Sequence, residues 1–337
     1  MTRPPITHVL RAPIIGGSEL ETLAIVSTLP GFDHRIVFPA RFAGWEPSIR
    51  PRFPVPVEAV PDLQRHLDGI SRGIVHLQFP FVRVDSPAGH DSVLELRQLP
   101  GVPTVFTVHA AVNVPVVPDV HYVFHTHDLA ARFASRIPSA RRSVCPSLVP
   151  LPPPPRPRPT DGLRRVLWVS RNEGAKFHPE LGTIVASALA VRPHLRFRFV
   201  GHCEHVRLPE DERVEVIACP APDLAAEWAA ADVFWYFPHP LLEETWCRTV
   251  TEAMAHGLPC VVAAHGAMTE QVIDGVHGRV VGDPRACLQA LLESADLDHA
   301  ACRRVAAENR ARAADFARTS TAHWRDLYAR LIADCSA

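Results

Sequence analysis

The chain has 337 residues and a nearly balanced charge, with 35 Lys and Arg against 36 Asp and Glu. This length suits two domains of ordinary size. The balanced charge, without basic runs that contain aromatic residues, excludes the usual signatures of nucleic-acid binding proteins. No window approaches 18 uninterrupted apolar residues, so the sequence predicts a cytoplasmic protein without a membrane-spanning helix.

Two residue counts are informative. The eight cysteines are scattered without a C-x-x-C pair, which favours reduced thiols over a disulfide framework. Of the 35 basic residues 34 are Arg, and Lys176 is the only lysine. A single lysine in a chain that otherwise uses Arg invites a functional explanation.

The first half of the chain alternates strand and helix signals. A strand at 7–12 is followed by a loop with Gly16 and Gly17, which permit a tight turn, and by a helix with Ser18 as its predicted cap. Two glutamates in the first turns suit the positive end of this helix. Further strands are predicted at 35–38, 73–78, 103–109 and 121–124, and helices at 61–70 and 92–99.

Such alternation predicts a parallel sheet with helices on both faces. Ligands gather at the carboxyl ends of parallel strands, so His109, which ends a predicted strand, is a candidate ligand contact. The alternative is a histidine that loop carbonyls satisfy. Segment 41–53 mixes Arg, Trp and Phe with prolines, and we interpret it as an ordered loop rather than an acceptor lip or a membrane contact.

Segment 150–159 is proline-rich and predicts a semi-rigid polyproline II spacer at a domain boundary. The alternation then restarts. Strands are predicted at 165–170, 195–200, 213–217, 232–236 and 259–264, and helices from the 171–181 segment to about 191, at 222–231, after Trp246, at 284–293 and at 298–316. A separate terminal helix carries the apolar stripe Trp324, Tyr328 and Leu331, which predicts core packing.

The stretch 242–259 places two glutamates around a short helix that Gly257 and Pro259 end. Glu244 lies in the loop before the helix and Glu252 inside it, about 12 Å apart at 1.5 Å per residue. Free N–H groups at the helix N-terminus suit a diphosphate, and the carboxylates can accept hydrogen bonds from sugar and ribose hydroxyls. The pattern therefore indicates a nucleotide-sugar site. Two solvated glutamates on a surface helix are the alternative.

This stretch resembles the E-x7-E signature of retaining glycosyltransferases with the GT-B fold, in particular family 4, whose usual form is EGFGLxxxEAMAxGxPVV. The matching residues are Glu244, Glu252, Ala253, Met254, Ala255, Gly257, Pro259, Val261 and Val262. The residues that depart from the family pattern are Thr245, Cys247 and Arg248, and His265, which replaces the first glycine of a later GGxxE element. Three more elements resemble the family: GGSE at 16–19, T-x-H ending at His109, and R-x4-K from Arg171 to Lys176.

The resemblance implies an α/β protein of GT-B fold, with two Rossmann-like, doubly wound domains facing a cleft. The expected bounds are 1–157, 158–317 and a terminal helix at 318–337 that crosses back to the first domain. The implied reaction transfers a sugar, with retention, from a UDP- or GDP-sugar to a hydroxyl of a saccharide, a lipid carrier or a small natural product, in carbohydrate biosynthesis. It implies neither a divalent metal nor a further cofactor beside the nucleotide sugar.

The resemblance also implies residue roles. Arg171 and Lys176 would hold the departing diphosphate, since fixed cations stabilise the charge that develops there. Glu244 would orient the sugar, His109 would contact it, and Glu252 would bind the ribose. The remaining expected donor contacts are Gly16, Gly17, Trp246, Cys247 and Arg248.

Other readings stay open. A nucleotide-sugar epimerase can share this fold. The departures from the pattern are the features that favour a non-catalytic partner subunit, whereas the intact Arg171, Lys176, Glu244 and Glu252 speak against it. The contiguous His202, Cys203, Glu204 and His205 resemble metal ligands, but so short a spacing does not easily close a tetrahedral site. The nucleotide, the sugar, the acceptor and the oligomeric state are not predicted.

Overall fold

The structure is a computed structural model that describes residues 3–10, 16–40, 53–78, 102–109, 114, 116–152, 161–201, 203–218 and 223–334. The chain divides into two compact units, Met1–Pro150 with Phe316–Ala337, and Leu151–Asp315. Within the described ranges, no helix combines the length and the apolar character needed to cross a bilayer. The predicted helix at 92–99, residues 41–52 of the predicted loop and residues 153–159 of the predicted spacer lie outside the described residues.

The first unit contains a seven-stranded parallel sheet. Its strands are β1 (Pro5–Val9), β2 (Asp33–Pro39), β3 (Val57–Val60), β4 (Ile74–Leu77), β5 (Thr104–Thr107), β6 (Val120–Phe124) and β7 (Arg142–Val144). They lie in the order β3-β2-β1-β4-β5-β6-β7, so the winding reverses between β1 and β4. The predicted parallel sheet is confirmed, and β3 and β7 are short strands that the sequence pattern did not predict.

Both faces of this sheet are covered. The helices of the first unit are α1 (Gly17–Thr28), α2 (Leu63–Asp68) and α3 (His127–Arg132), together with the end of the C-terminal helix. Val75 packs with apolar side chains of α2 and α3, whereas its neighbour Ile74 packs with those of α1 and the C-terminal helix. Adjacent residues of a strand point to opposite faces, so the Val- and Ile-rich strands need apolar helices on each side.

The second unit contains a six-stranded parallel sheet in the order β10-β9-β8-β11-β12-β13. Its strands are β8 (Arg164–Val169), β9 (Leu195–Val200), β10 (Val214–Ile217), β11 (Val233–Tyr236), β12 (Cys260–Ala263) and β13 (Gly278–Val281). Its helices are α4 (Leu181–Val191), α5 (Leu224–Ala230), α6 (Arg248–Ala255), α7 (Met268–Gln271) and α8 (Pro284–Ala295). The winding reverses between β8 and β11, the position where open sheets of this kind bind ligands.

Aromatic side chains fill the interior of the second unit beside that reversal. The Trp168 ring lies 5.3 Å from the Trp235 ring, edge to face, and 5.9 Å from the stacked Phe177 ring. Each indole N–H has an acceptor, since Trp168 donates to Ser170 Oγ at 2.9 Å and Trp235 donates to Cys287 Sγ at 3.2 Å. Paired rings with satisfied N–H groups hold β8 and β11 rigidly.

Two helix predictions are corrected. Helix α1 has Gly16 as its N-cap residue, and Ser18 lies inside the first turn, where its hydroxyl donates to Glu19 Oε2 at 2.9 Å. The predicted break between 298–316 and the terminal helix does not exist, because α9 (His299–Asp334) is continuous. No Pro or Gly interrupts this Ala-rich stretch, so nothing in it ends a helix.

The six described cysteines are free thiols, as predicted for reduced cysteines: Cys145, Cys203, Cys247, Cys260, Cys287 and Cys302. Burial raises the pKa of the Cys247 thiol to about 12, which keeps it protonated and unreactive at neutral pH.

Candidate functional site

Three loops leave the carboxyl edge of the second sheet at and beside its reversal point. The loop after β8 carries Arg171 and Lys176, the loop after β11 carries Glu244, and the loop after β12 carries Gly266. Backbone hydrogen bonds join them: His239 N–H donates to the Ala175 carbonyl at 3.1 Å, and Ala267 N–H donates to the Glu244 carbonyl at 2.9 Å. The three loops therefore form one connected platform.

Lys176 and Glu244 form an ion pair on this platform, between Nζ and Oε1. Their side chains are 14 % and 13 % exposed, so both are desolvated in large part but open to a ligand. Lys176 ends a 3₁₀ turn, Gly174–Lys176, and its N–H donates to the Glu173 carbonyl at 2.8 Å. The fold thus brings into contact two predicted site residues that lie 68 positions apart in the sequence.

Tyr236, the last residue of β11, donates its hydroxyl to the same Glu244 Oε1 at 2.6 Å. The side chain is buried, and burial raises its pKa well above the usual range, helped by the charge of Glu244. The phenol therefore stays protonated and remains a donor. The sequence pattern marked this residue only as the end of a strand.

Gly266 lets the third loop approach Glu244 closely. Its φ is +62°, and a Cβ at this position would lie 3.1 Å from both N and O of Glu244. Beside it, His265 stands where the glycosyltransferase pattern that this stretch resembles has glycine. Burial lowers the pKa of its half-buried ring, which is hydrogen-bonded to the backbone of Leu242. The departure at 265 is thus accommodated next to a position that needs glycine.

Side-chain hydrogen bonds from Gln271 and Thr251 fix the loop between Glu244 and α6. The buried Gln271 side chain accepts from Cys247 N–H at 3.1 Å and donates to the Cys247 carbonyl and to Thr251 Oγ1, each at 2.9 Å. Trp246 Nε1 also donates to Thr251 Oγ1, at 3.1 Å. Because the Trp246 and Cys247 side chains are buried, these residues can offer a ligand mainly their backbone.

Helix α6 carries the second predicted carboxylate. Burial raises the pKa of Glu252, and the Arg248 guanidinium opposes that rise. The two residues are four positions apart on one helix, the spacing at which side chains meet. Gly257, with φ +74°, and Pro259 follow the helix as the sequence predicted. Arg248 thus has Glu252 within electrostatic reach.

Arg171 is less constrained than Lys176. Its side chain is 52 % exposed and pairs with Glu173 at 3.1 Å. An exposed pair of this kind contributes little stability, so the guanidinium can change partners at low cost. The structure therefore brings Lys176 to Glu244 and leaves Arg171 on the rim of the same loop.

In the first unit, His109 lies just beyond β5. Its Nε2 is 2.8 Å from Gln78 Oε1 and 3.9 Å from Glu21 Oε2. His125, beyond β6, has Nε2 3.2 Å from the same Glu21 oxygen, and its Nδ1 donates to the Cys145 carbonyl at 2.9 Å. His109 is thus bonded by a buried side chain and not by loop carbonyls alone.

A proton on His125 Nε2 would make an imidazolium–carboxylate pair with Glu21. The ligand atoms of Glu21, His109 and His125 all lie within 4.8 Å of one another, a spacing that a divalent ion can also bridge. The Gly16–Gly17 turn belongs to this unit as well, at the start of α1. Of the contiguous set considered for metal binding, His202 lies outside the described residues, and Glu204 accepts from Asn172 Nδ2 at 2.9 Å.

Sequence reasoning missed Tyr236, Thr251 and Gln271. Tyr236 could have been found, because the carboxyl end of a central strand is the expected place for a ligand-side residue. Thr251 and Gln271 gave no local signal, since their role depends on contacts 20 and 24 residues away.

The second unit is similar in sequence to a known family. Residues 164–296, which make up most of the second unit, match the family described as glycosyl transferases group 1. This match covers less than half of the chain. No curated protein matches the chain in sequence.

Solved structures are similar over almost the full length. HepE from Anabaena in complex with UDP and glucose has a TM-score of 0.73 at 14 % identity, covering 97 % of this chain and 100 % of that one. A glycosyltransferase from Rickettsia africae has a TM-score of 0.72 at 13 % identity, covering 98 % and 99 %. Sucrose-phosphate synthase from Thermosynechococcus elongatus has a TM-score of 0.68 at 16 % identity, covering 98 % and 100 %. The chain therefore has the GT-B fold, with two parallel-sheet α/β units.

Proposed function

We propose that the protein is a retaining glycosyltransferase that transfers a sugar from a UDP- or GDP-sugar to a hydroxyl acceptor without a divalent metal. The observation that carries the proposal is the Lys176–Glu244 ion pair at the reversal point of the second sheet. It lies in the segment that matches the glycosyl transferases group 1 family. HepE, of the same fold, was solved with UDP-glucose, which supports a UDP-sugar as the first donor to test.

The chemistry follows from the charges. In the reaction the bond between the anomeric carbon and the diphosphate oxygen breaks, and its electron pair goes to the phosphate. Lys176, Arg171 and the N–H groups at the start of α6 would hold this growing negative charge, and cations in a partly desolvated site stabilise it strongly. The acceptor oxygen bonds to the anomeric carbon, and its proton leaves with the diphosphate or to solvent.

The carboxylates would recognise hydroxyls. Glu244 would orient the sugar ring and Glu252 would bind the ribose, each through charge-assisted hydrogen bonds. Arg248 would hold Glu252 in place. In the first unit, His109 would contact the donor sugar, and Gly16 and Gly17 would contribute backbone contacts. The acceptor, whether a saccharide, a lipid carrier or a small natural product, remains to be chosen by experiment.

The experiment is a thermal-shift and calorimetry panel of UDP, GDP, UDP-glucose and GDP-mannose, followed by turnover with acceptor mixtures. A ligand that binds only the folded protein raises its melting temperature. We expect one nucleotide series to bind and a glycoside product to keep the anomeric configuration of the donor. Binding of neither series would refute the proposal. Donor isomerised without an acceptor would indicate an epimerase, and binding without turnover would indicate a non-catalytic subunit.

A further inference from the structure

The two carboxylate oxygens of Glu244 differ in their hydrogen-bond partners. Oε1 receives both the Lys176 ammonium and the Tyr236 hydroxyl, the latter at 2.6 Å. Among the described residues, none donates a hydrogen bond to Oε2. One oxygen is therefore fixed within the protein while the other is left to a ligand.

The two donors on Oε1 differ in what else they can do. Lys176 sits on a flexible four-carbon stem and is the proposed partner of the donor diphosphate, so nucleotide binding draws its charge away from Glu244. Tyr236 cannot move in this way, because its ring is 1 % exposed and lies 5.2 Å from the Trp168 ring. Its hydroxyl is held at the carboxyl end of β11, whatever Lys176 binds.

We propose that Tyr236 is a positioning residue that keeps the Glu244 carboxylate aimed at the donor sugar when Lys176 exchanges Glu244 for the diphosphate. The inference rests on the proposed function and adds a residue to it. In the ligand-free protein the ammonium and the phenol share Oε1. In the donor complex the phenol alone restrains the carboxylate, and Oε2 accepts a hydrogen bond from a sugar hydroxyl.

The other restraints on Glu244 act on its backbone. Ala267 N–H donates to its carbonyl at 2.9 Å, and Gly266 packs against its N and O atoms. These contacts place the Cα atom but leave the side-chain torsions open. A hydrogen bond to a charged acceptor is of the stronger kind, and the phenol therefore adds the angular restraint that the backbone contacts lack.

The test is Tyr236→Phe, which removes one oxygen and keeps the ring. Calorimetry compares the affinity for UDP-glucose with the affinity for UDP, and this comparison separates sugar recognition from nucleotide recognition. If the GDP series binds instead, GDP-mannose and GDP take their place. We expect the sugar nucleotide to bind about tenfold more weakly and kcat to fall, whereas the nucleoside diphosphate binds within about twofold of wild type. The matched control is Tyr122→Phe, a buried tyrosine of the first unit whose hydroxyl accepts from Val117 N–H at 2.8 Å.

Equal losses for both ligands, or an unchanged ratio of their affinities, would overturn the inference and leave the proposed function standing. A wild-type protein that binds neither series overturns both. If Tyr236→Phe does not fold, Lys176→Met gives the second test. There both ligands should bind more weakly by a similar factor, because Tyr236 still positions Glu244, and a selective loss of the sugar nucleotide would contradict the proposal.

Discussion

The two units share one winding order and place their polar side chains differently. In the first, His8 and His76 lie fully buried within the sheet, and burial lowers the pKa of His76 to about 3. In the second, the central strands bury aromatic rings such as Trp168, and the polar groups Lys176 and Glu244 stand at the carboxyl edge. A buried neutral imidazole can bond only within the protein. A partly exposed ion pair can exchange its partner for a ligand, so the Lys176–Glu244 pair of the second unit is suited to binding an anion.

The largest expected effect tests this contrast directly. Lys176→Ala removes the cation that meets the departing phosphate, and donor turnover should fall by roughly a hundredfold or more, as for other preorganised donors. The melting temperature should also fall, because removing the ammonium leaves the largely buried Glu244 carboxylate without its ion-pair partner, so turnover is compared at a temperature where both proteins are folded. Lys176→Arg keeps the charge and should recover only part of the rate, because a planar guanidinium is wider than an ammonium. Wild-type turnover in Lys176→Ala would remove this residue from the mechanism.

Glu252→Ala tests the proposed ribose contact in the second unit. Loss of hydrogen bonds to a charged group costs about 1.5 to 3 kcal/mol, so nucleoside diphosphate affinity should fall by roughly ten- to a hundredfold. Titration calorimetry with the nucleotide that the wild type binds measures this change. Glu243→Ala is the matched control on the exposed loop before the site. Equal affinity in the wild type and Glu252→Ala would mean that the ribose is bound elsewhere.

Two largely buried histidines of the first unit should make the folded protein less stable in acid. His121 and His323 both bond to Ser143 Oγ, at 2.9 and 3.1 Å, and burial lowers the pKa of each to about 4 from 6.5. Unfolded histidines take up protons below about pH 6.5, whereas the folded ones do so only near pH 4. Acidification through this window should therefore destabilise the protein, by at most about 1.4 kcal/mol per pH unit for each histidine.

Urea unfolding of the wild type and of His323→Gln across this window checks the sign and the size. The variant should lose stability less steeply as the pH falls, and the partial exposure of His323 makes the difference smaller than the full slope. His299→Gln, on the exposed start of α9, serves as the control. Identical slopes for all three proteins would show that the Ser143 contacts do not cause the loss of stability in acid.

The smallest expected effect concerns Arg248 and Glu252. A pair four residues apart on a helix contributes about 0.3 to 0.5 kcal/mol when exposed. A double-mutant cycle on the free energy of unfolding, with both residues changed to Ala singly and together, measures the coupling. A coupling energy of zero would refute the Arg248–Glu252 pair.

Much of the fold followed from the sequence. Val- and Ile-rich runs such as β4 in the first half and Val-rich runs such as β12 in the second, separated by helices, left a parallel sheet as the simplest solution in each half. Ser18 was misplaced as a cap because a glycine can begin a helix without a side-chain bond, so the first polar residue is a poor guide there. The joined C-terminal helix was missed although the absence of Pro and Gly from 299–334 was visible.

The sequence predicted the candidate site only where its residues lie close together along the chain. The E-x7-E pattern and the Arg171–Lys176 spacing lie within single loops and helices, and they identified the residues but not their contacts. The Lys176–Glu244 pair spans 68 residues, and His76 bonds to Tyr328 Oη at 2.7 Å across 252 residues. Contacts of this separation depend on how strands are ordered in the sheet, which a single sequence does not encode in its local periodicity.

The solitary lysine has a practical consequence. Because Lys176 is the only lysine of the chain, its ammonium and the α-amino group are the only aliphatic amines that an amine-selective reagent can find. Reductive methylation with ¹³C-formaldehyde would place an NMR reporter at the centre of the candidate site without any mutation. Its chemical shift, followed as nucleotide is added, would record the exchange of Glu244 for phosphate, and protection from the reagent would measure nucleotide occupancy.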